Sequence, residues 1–263
     1  MVKTDKMLSR KEGRVGYVVF NNPERRNAVS LEMWEATARI LEDFSKDDDI
    51  RVVVLTGAGD KAFVSGADIS KFESERASQE AILRYNEAVE RANAAVYDYP
   101  KPTIAMIRGY CIGGGLGLAI CCDLRIASDD SRFAVPAAKL GLGYAYHGLK
   151  KLVDVVGPSF AKEIFYTARQ FDAEEARAMG LVNRVVKADE LHAYVQKYAD
   201  AIGENAPLTI AAAKFTIGEV VKDASSRDLA RCAAMVKQCF DSADYTEGRR
   251  AFMEKRKPAF TGK

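Results

Sequence analysis

The sequence has little of the material from which metal sites and disulfide frameworks are built. It holds two histidines, His147 and His192, and neither lies at ligand spacing from a cysteine. Its five cysteines are an odd number, and Cys121 and Cys122 are neighbours inside an apolar run. We therefore interpret the cysteines as small buried side chains and expect no metal site.

An excess of charge of one sign and a long apolar stretch are missing as well. Lysine and arginine number 39 against 37 for aspartate and glutamate, so no broad field favours nucleic acid or an anionic membrane surface. No stretch approaches the roughly 18 to 20 apolar residues of a membrane span, and the polar N-terminal segment lacks the apolar run of a signal peptide. These absences predict a soluble cytoplasmic protein.

The motifs of nucleotide-binding and serine-nucleophile proteins also fail. Residues 57–62 match the loose dinucleotide fingerprint G-x-G-x-x-A, but residues 63–69 continue as another strand and turn rather than as the required helix. The sequence contains no G-x-x-x-x-G-K-[ST] and no G-x-S-x-G. Phosphate-loop and triad chemistry therefore have little support.

What the sequence does have is an alternation of short strands and helices. The β-branched runs 16–21 and 51–56 end in turn residues, and between them a helix capped by Ser30 repeats apolar residues at helical spacing. This order predicts a strand–helix–strand unit. Further strands are predicted at residues 102–107, 123–127 and 132–135.

Helical patterns dominate from residue 172 onward, interrupted by one strand-like run. A chain of 263 residues, 48% of them apolar, can bury one large core with an attachment. We predict an α/β core over residues 1–200 and a helical subdomain over residues 201–263.

Two turns rich in backbone remain as candidates for chemistry. SGAD, at residues 65–68, follows one predicted strand, and the glycine triplet 113–115 follows another. Peptide N–H groups at a helix start are unpaired and suit an oxyanion, and glycine lets a substrate approach closely. Two such turns can bind one developing negative oxygen, where each donor is worth about 3 to 4 kcal/mol. The alternative is that both are tight turns with packing roles.

Three stretches of the sequence resemble a known family. FVSGADI at 63–69, GYCIGGG at 109–115 and CDLRIA at 122–127 together closely resemble the crotonase superfamily, that of enoyl-CoA hydratases and isomerases. The resemblance runs from about residue 14 to the end. It implies a spiral of β-β-α units with C-terminal helices that build homotrimers or dimers of trimers. It also implies an acyl coenzyme A substrate, with no separate cofactor, whose carbonyl oxygen becomes an enolate held by the N–H groups of Ala67 and Gly114.

The resemblance further implies contacts with coenzyme A. Residues 22–28, NPERRNA, resemble the family's N-x-P-x-x-x-N-A loop, in which basic residues meet the phosphates and backbone meets the pantetheine. This makes Arg26 a candidate, with an ordinary surface arginine as the alternative. Ala28, Asp68 and Ile69 are implied to lie along the same ligand.

A second stretch that resembles the family lies near the C-terminus. FMEKRKPAF, at residues 252–260, looks like the family's F-x-E-K-R-x-P-x-F, which often reaches a coenzyme A. Charge alone would make this basic segment a solvated tail. The resemblance instead favours Phe252 and Lys255 as ligand contacts, since a lysine suits a phosphate as a point charge.

The departures from the family bear on the reaction. Hydratases of the family carry one glutamate two residues after the glycine triplet and a second just after the proline of an F-x-x-P motif. This sequence has Gly117 at the first position and Ala137 at the second. Neither side chain can transfer a proton, and water addition needs the paired carboxylates. Ordinary hydratase chemistry is therefore not predicted.

The loop over residues 139–148 offers replacements. In relatives this region shapes the acyl pocket, and here it carries Tyr144, Tyr146 and His147. Tyr144 and His147 are our candidates for touching the substrate, with a structural histidine as the alternative. An acid placed elsewhere, such as Glu73, is a further candidate.

A second resemblance suggests a reaction. The C-terminal half is similar to methylmalonyl-CoA decarboxylases, which share L-G-x-x-Y in the loop and the D-S-x-D-Y-x-E-G pattern found at residues 241–248. Loss of CO₂ from a malonyl-type thioester produces the enolate directly, so it needs an oxyanion hole and an unsolvated pocket but no base. A phenol or imidazole can orient the carboxylate or return the proton.

Three readings of the function follow. Decarboxylation of a short malonyl-type thioester leads, and a hydratase or isomerase with a displaced acid or base is its competitor. A protein that binds coenzyme A esters or RNA without catalysis is the third. Near-neutral charge and sparse aromatic and basic interleaving argue against RNA.

Overall fold

The main sheet begins with a strand that was not predicted from the sequence, β1, paired with the predicted strand β2. The computed structural model describes residues 4–71 and 77–263, and of Ile69 it describes the backbone alone. In it β1 (Met7–Glu12) runs antiparallel to β2 (Val15–Phe20), from Met7 opposite Phe20 to Glu12 opposite Val15. Most of β1 is charged or polar and exposed. Its pairing is therefore made by backbone hydrogen bonds rather than by an apolar pattern.

The rest of the main sheet is parallel. After β2 come β3 (Val52–Gly57), β5 (Thr103–Ile107), β7 (Leu124–Ser128) and β10 (Arg184–Val186), in the spatial order β1-β2-β3-β5-β7-β10. The strands β3 and β5 are buried along almost their whole length, as strands covered on both faces require.

The predicted strand–helix–strand unit is confirmed. It consists of β2, helix α1 (Leu31–Ser45) and β3, which pairs in parallel with β2. The predicted cap is wrong in one detail. Ser30 has extended backbone angles, but its side chain makes no capping hydrogen bond and contacts Glu32 instead.

A second sheet of short strands lies beside the first. Its members are β4 (Ala62–Val64), β6 (Tyr110–Ile112), β8 (Arg132–Ala134) and β9 (Phe171–Asp172). The chain visits the two sheets alternately, because β3 leads to β4, β5 to β6 and β7 to β8. A helix follows each pair in the described residues, so the β-β-α spiral is confirmed.

Helices cover both sheets. Those that follow the strand pairs are α2 (Gln79–Tyr97), α3 (Gly114–Ala119), α4 (Ala137–Leu140) and α5 (Tyr146–Thr167), the last interrupted at Gly157. The later ones are α6 (Ala173–Ala178), α7 (Leu191–Glu204), α8 (Pro207–Val220), α9 (Leu229–Asp241) and α10 (Ala243–Glu254). The predicted domain division at residue 200 falls inside α7 and stays a prediction.

Two apolar cores hold these layers together. The larger one contains Trp34, Phe63 and Phe133 and lies between the sheets and helices α1 to α3. The smaller one packs Leu191 and Val195 of α7 on the other face of the main sheet. Cys121 and Cys122 are buried and unpaired in the larger core, which confirms their interpretation as small apolar side chains.

The described residues offer neither a membrane-spanning helix nor a cluster of metal-ligating side chains. Within residues 4–71 and 77–263, no helix combines the length and apolar character needed to cross a bilayer. In the same residues no group of three or more histidine, cysteine or acidic side chains is arranged to hold a metal ion.

Candidate active site

Three parallel strands end at one edge of the second sheet. Val64 of β4 lies beside Cys111 of β6, and Ile112 of β6 lies beside Ala134 of β8. The turns that follow these strands therefore meet at a common edge, which is where open parallel sheets bind their ligands. Both predicted backbone turns are among them.

The first turn is fixed by the loop before α1. Val29 N–H donates to the carbonyl of Gly66 over 2.8 Å, and Asp68 N–H donates to the carbonyl of Val29 over 3.0 Å. Gly66 has a φ of 112°, which a residue with a Cβ rarely adopts. Ala67 lies between these two bonds, and its own N–H has no acceptor among the described residues.

The second turn begins α3. Gly113 N–H donates to the carbonyl of Ala134 over 2.8 Å, and its φ of 55° lets the chain enter the helix. The N–H of Gly114, the first helical residue, has no acceptor within the described parts of the chain. Such a group is one of the unpaired donors that every helix start exposes.

Close approach joins the two turns. A Cβ built on Gly115 would lie 2.2 Å from the carbonyl oxygen of Val64, and one built on Gly66 would lie 3.5 Å from that of Ile112. The first turn of α3 can therefore rest directly on the end of β4 only because residue 115 is glycine. The unpaired N–H groups of Ala67 and Gly114 belong to adjoining turns, and their role toward a substrate stays a prediction.

The two positions where the resemblance implies glutamates lie at the same edge. Gly117 is one turn further along α3, since its N–H donates to the carbonyl of Gly113 over 3.0 Å. A Cβ built on Gly117 meets no heavy atom within 4 Å, so the space beside it is open. Ala137 opens α4 and is buried. Glu73, the alternative acid, lies outside the described residues.

The aromatic side chains of the loop over residues 139–148 differ from one another in exposure and in contacts. Tyr144 is 38% exposed, and its ring packs edge-to-face on Phe165 with centroids 4.9 Å apart. Burial raises the pKa of this phenol, so it stays protonated throughout the neutral range. Tyr146 is 70% exposed and packs against His147, which is also exposed. Tyr144 is thus the more fixed of the two candidates, and the contacts of both with a substrate stay predictions.

The loop over residues 22–28 is built around a buried amide. Asn27 is fully buried, and its Nδ2 donates to the carbonyls of Ala58 and Ala62 over 2.9 and 2.7 Å. Its Oδ1 accepts from Asn22 N–H over 2.9 Å. Asn27 was not among the candidate residues predicted from the sequence, although it is part of the motif at residues 22–28.

The candidate coenzyme A contacts near this loop differ in exposure. Arg26 is exposed, and its guanidinium lies over the Tyr110 ring, 5.0 Å from the centroid. Ala28 is buried. Asp68 is 3% exposed, and its Oδ1 accepts from the Ser70 backbone and hydroxyl. Ile69 begins a short 3₁₀ turn, and its side chain lies outside the described atoms.

Phe252 and Lys255 lie apart from this loop, at the end of α10. Phe252 is 83% exposed, and Lys255 ends the helix with a φ of 53°. In the described residues no hydrogen bond, ion pair or ring contact joins either side chain to residues 22–28. Of Arg26, Phe252 and Lys255, only Arg26 therefore lies beside the candidate site within this chain.

The segment after α10 folds back on that helix. Asp244 accepts from the N–H groups of Thr261 and Gly262, and Glu247 accepts from the guanidinium of Arg256 and from Ala259 N–H. The last residues are therefore fastened by carboxylates, in contrast to the solvated tail that charge alone suggested.

Comparison with known proteins agrees with this architecture. A sequence model of the Enoyl-CoA hydratase/isomerase family matches residues 10–263. The chain is 32% identical to the short-chain-enoyl-CoA hydratase of Clostridium acetobutylicum over 264 aligned residues, which cover 97% of each chain. It is 31% identical to the methylmalonyl-CoA decarboxylase of Escherichia coli, over 95% of each chain.

Solved structures give the same result. The crystal structure of an enoyl-CoA hydratase/carnithine racemase from Magnetospirillum magneticum superposes with a TM-score of 0.92 and 39% identity, over 99% of this chain and 97% of that one. The two sheets, the spiral and the adjoining turns thus define an α/β protein of the crotonase fold. The chain belongs to the enoyl-CoA hydratase/isomerase family, whose members are acyl-CoA enzymes.

Proposed function

We propose that the chain decarboxylates a short malonyl-type coenzyme A thioester, such as methylmalonyl-CoA, through an enolate. The observation that carries the proposal is the pair Gly117 and Ala137 beside two unpaired backbone donors. The site keeps what holds a negative oxygen and lacks, at both positions, a side chain that moves a proton. Coenzyme A is then part of the substrate, and no separate cofactor is needed.

The chemistry is balanced without a base. The bond between Cα and the substrate carboxylate breaks, its electron pair forms the Cα=C double bond of the enolate, and CO₂ leaves. The N–H groups of Ala67 and Gly114 donate to the enolate oxygen, where loss of one such donor costs about 10²- to 10³-fold in kcat. A proton then returns to Cα.

Tyr144 is the candidate for orienting the carboxylate or returning that proton. Its ring is held against Phe165, and burial raises the pKa of the phenol, so it is a donor at neutral pH. His147 is the second candidate for the same task. The space beside Gly117 is open, which supports a position for the substrate carboxylate there.

Ligand binding and assembly follow from the same proposal. Arg26, with Ala28, Asp68 and Ile69, would lie along coenzyme A, and Phe252 and Lys255 would add contacts from the end of α10. Trimers or dimers of trimers are supported by large exposed apolar side chains on the C-terminal helices. These include Ile217, Val220, Leu229, Val236 and Phe240.

Hydration or isomerisation of an enoyl-CoA is the second candidate. The relatives favour it, because the Clostridium protein, which is 32% identical to this chain, is a short-chain-enoyl-CoA hydratase. It requires a displaced acid or base, for which Glu73 is a candidate outside the described residues.

One experiment separates the two. Purified protein is given methylmalonyl-CoA and crotonyl-CoA in parallel, and products are followed by mass spectrometry. The proposal predicts loss of CO₂ from the first and no efficient gain of water by the second. Hydration of crotonyl-CoA without loss of CO₂ from methylmalonyl-CoA would overturn it in favour of the second candidate.

A further inference from the structure

The single tryptophan of the chain lies against the first turn of α3. Trp34, on α1, is 2% exposed. A Cβ built on Gly114 would lie 3.5 Å from its Cζ2 and 3.9 Å from its Cη2, the range of ordinary van der Waals contact. The indole edge thus bounds the methyl-sized space beside Gly114, while the carbonyl of Val64 leaves no such space beside the neighbouring Gly115.

The orientation of this indole is fixed by a second buried ring. Trp34 Nε1–H donates to the hydroxyl of Tyr85 over 3.1 Å, and Tyr85, on α2, is 4% exposed. A buried indole N–H needs a partner, so any tilt of the ring away from Tyr85 is opposed. Three helices therefore converge near Gly114, where Tyr85 of α2 fixes a ring of α1 beside the first turn of α3.

The start of α3 needs such support from outside. The helix has six residues, Gly114–Ala119, and follows a glycine with positive φ. A short helix that begins in consecutive glycines has little stiffness of its own, because glycine restricts the backbone least. The direction of the Gly114 N–H is consequently set by what packs against the turn.

We infer that Trp34 and Tyr85 are positioning residues that aim the Gly114 N–H at the thioester oxygen. The inference rests on the proposed enolate chemistry. A hydrogen bond weakens steeply as its angle departs from linearity, and a shift of about 1 Å can cost about 10²-fold in rate. The indole therefore contributes to catalysis through the backbone that it supports, without touching the substrate.

Two substitutions and a matched control test this role. Tyr85→Phe keeps the ring and removes the acceptor, and Trp34→Phe removes the indole edge that faces Gly114. The control is Tyr17→Phe. Tyr17 is fully buried and its hydroxyl donates to Gln196 of α7, on the other face of the main sheet. Tyr17→Phe removes a part-buried hydrogen bond of a tyrosine hydroxyl at a site remote from α3.

The readouts are turnover and a carbonyl vibration. Kinetics with methylmalonyl-CoA should show kcat reduced about tenfold in Tyr85→Phe, with KM changed less than about twofold, because the donor acts most strongly in the transition state. Propionyl-CoA carrying ¹³C at the thioester carbonyl should show a downward shift of its C=O stretch on binding. That shift should be smaller in both variants and unchanged in Tyr17→Phe.

The outcomes are distinguishable. Wild-type kcat and an unchanged C=O shift in Tyr85→Phe would overturn the inference while leaving the enolate chemistry intact, and this holds even if Trp34→Phe does not fold. Absence of any turnover and of any C=O shift in the wild type would instead overturn the proposed function on which the inference rests.

Discussion

The carbonyl oxygen of Val64 lies where a side chain of residue 115 would have to be. A Cβ on Gly115 would approach it to 2.2 Å, a distance that real Cβ atoms do not adopt. The contact joins the end of β4 to the first turn of α3. It is therefore the point at which the two halves of the candidate oxyanion hole depend on each other.

Gly115→Ala should accordingly destabilise the protein. Relief of the clash must move backbone, and overpacking of this kind costs about 1 to 3 kcal/mol. Urea unfolding should show a lower midpoint. Gly117→Ala on the same helix is the control, since its Cβ meets nothing within 4 Å. It should gain up to about 1 kcal/mol, because alanine is the better helix former. Equal stability of the two variants would contradict the contact.

The open space beside Gly117 allows a test by charge. Gly117→Glu should reduce decarboxylation at least about tenfold, because a second carboxylate a few ångströms from that of the substrate repels it by about 1 to 4 kcal/mol. Gly117→Gln has nearly the same shape without the charge and should lose much less. Initial rates with methylmalonyl-CoA measure both. Equal losses would show that volume rather than charge is what the site excludes.

Asn27 gives a prediction for the other half of the site. Asn27→Asp removes a donor shared by the carbonyls of Ala58 and Ala62 and buries a carboxylate against them. We expect a loss of about 2 to 4 kcal/mol in the free energy of unfolding, since each buried group left unpaired costs about 1 to 3 kcal/mol. Asn21→Asp is the control, because Asn21 donates to the Asp5 carbonyl near the surface. A similar, small loss in both variants would contradict the account.

Some of this site could be predicted from the sequence, and the reasons are local. Gly66 and Gly113 have positive φ values, which favour glycine. The glycines in the sequence therefore predict turns at these positions. The strands β3 and β5 are buried on both faces and accordingly read as continuous apolar runs. At such positions the residue type alone is enough to predict the local conformation.

Other features depend on contacts between distant segments and leave no local pattern. β1 pairs through its backbone while most of its side chains face solvent. Trp34 has the spacing of a core residue, and nothing in the sequence tells that its indole faces Gly114. The packing of Tyr144 on Phe165 of α5 likewise joins two segments and has no signal in the residues around Tyr144.

The stability that Glu247 gives to the packing of the C-terminal segment on α10 should depend on pH. The guanidinium of Arg256 and the N–H of Ala259 lower the pKa of Glu247 from 4.5 to about 2. Because the pKa is depressed in the folded protein, the contribution is present above about pH 4.5 and is lost as the pH falls toward 2. The difference in Tm between wild type and Glu247→Gln should therefore shrink between pH 4.5 and 2.

Glu254→Gln is the control for this effect. Glu254 contacts the same Arg256 but, in the described residues, has no bond to Ala259. Its substitution should change Tm less at neutral pH. A difference for Glu247→Gln that stays constant down to pH 2 would contradict the role of its ionised form.

The most direct test of the central claim is the decarboxylation of methylmalonyl-CoA in D₂O, followed by mass spectrometry of the acyl product. The enolate account predicts that methylmalonyl-CoA loses CO₂ and gives propionyl-CoA with one deuterium from the solvent at Cα. Recovery of unchanged methylmalonyl-CoA, with addition of D₂O to crotonyl-CoA under the same conditions, would contradict it.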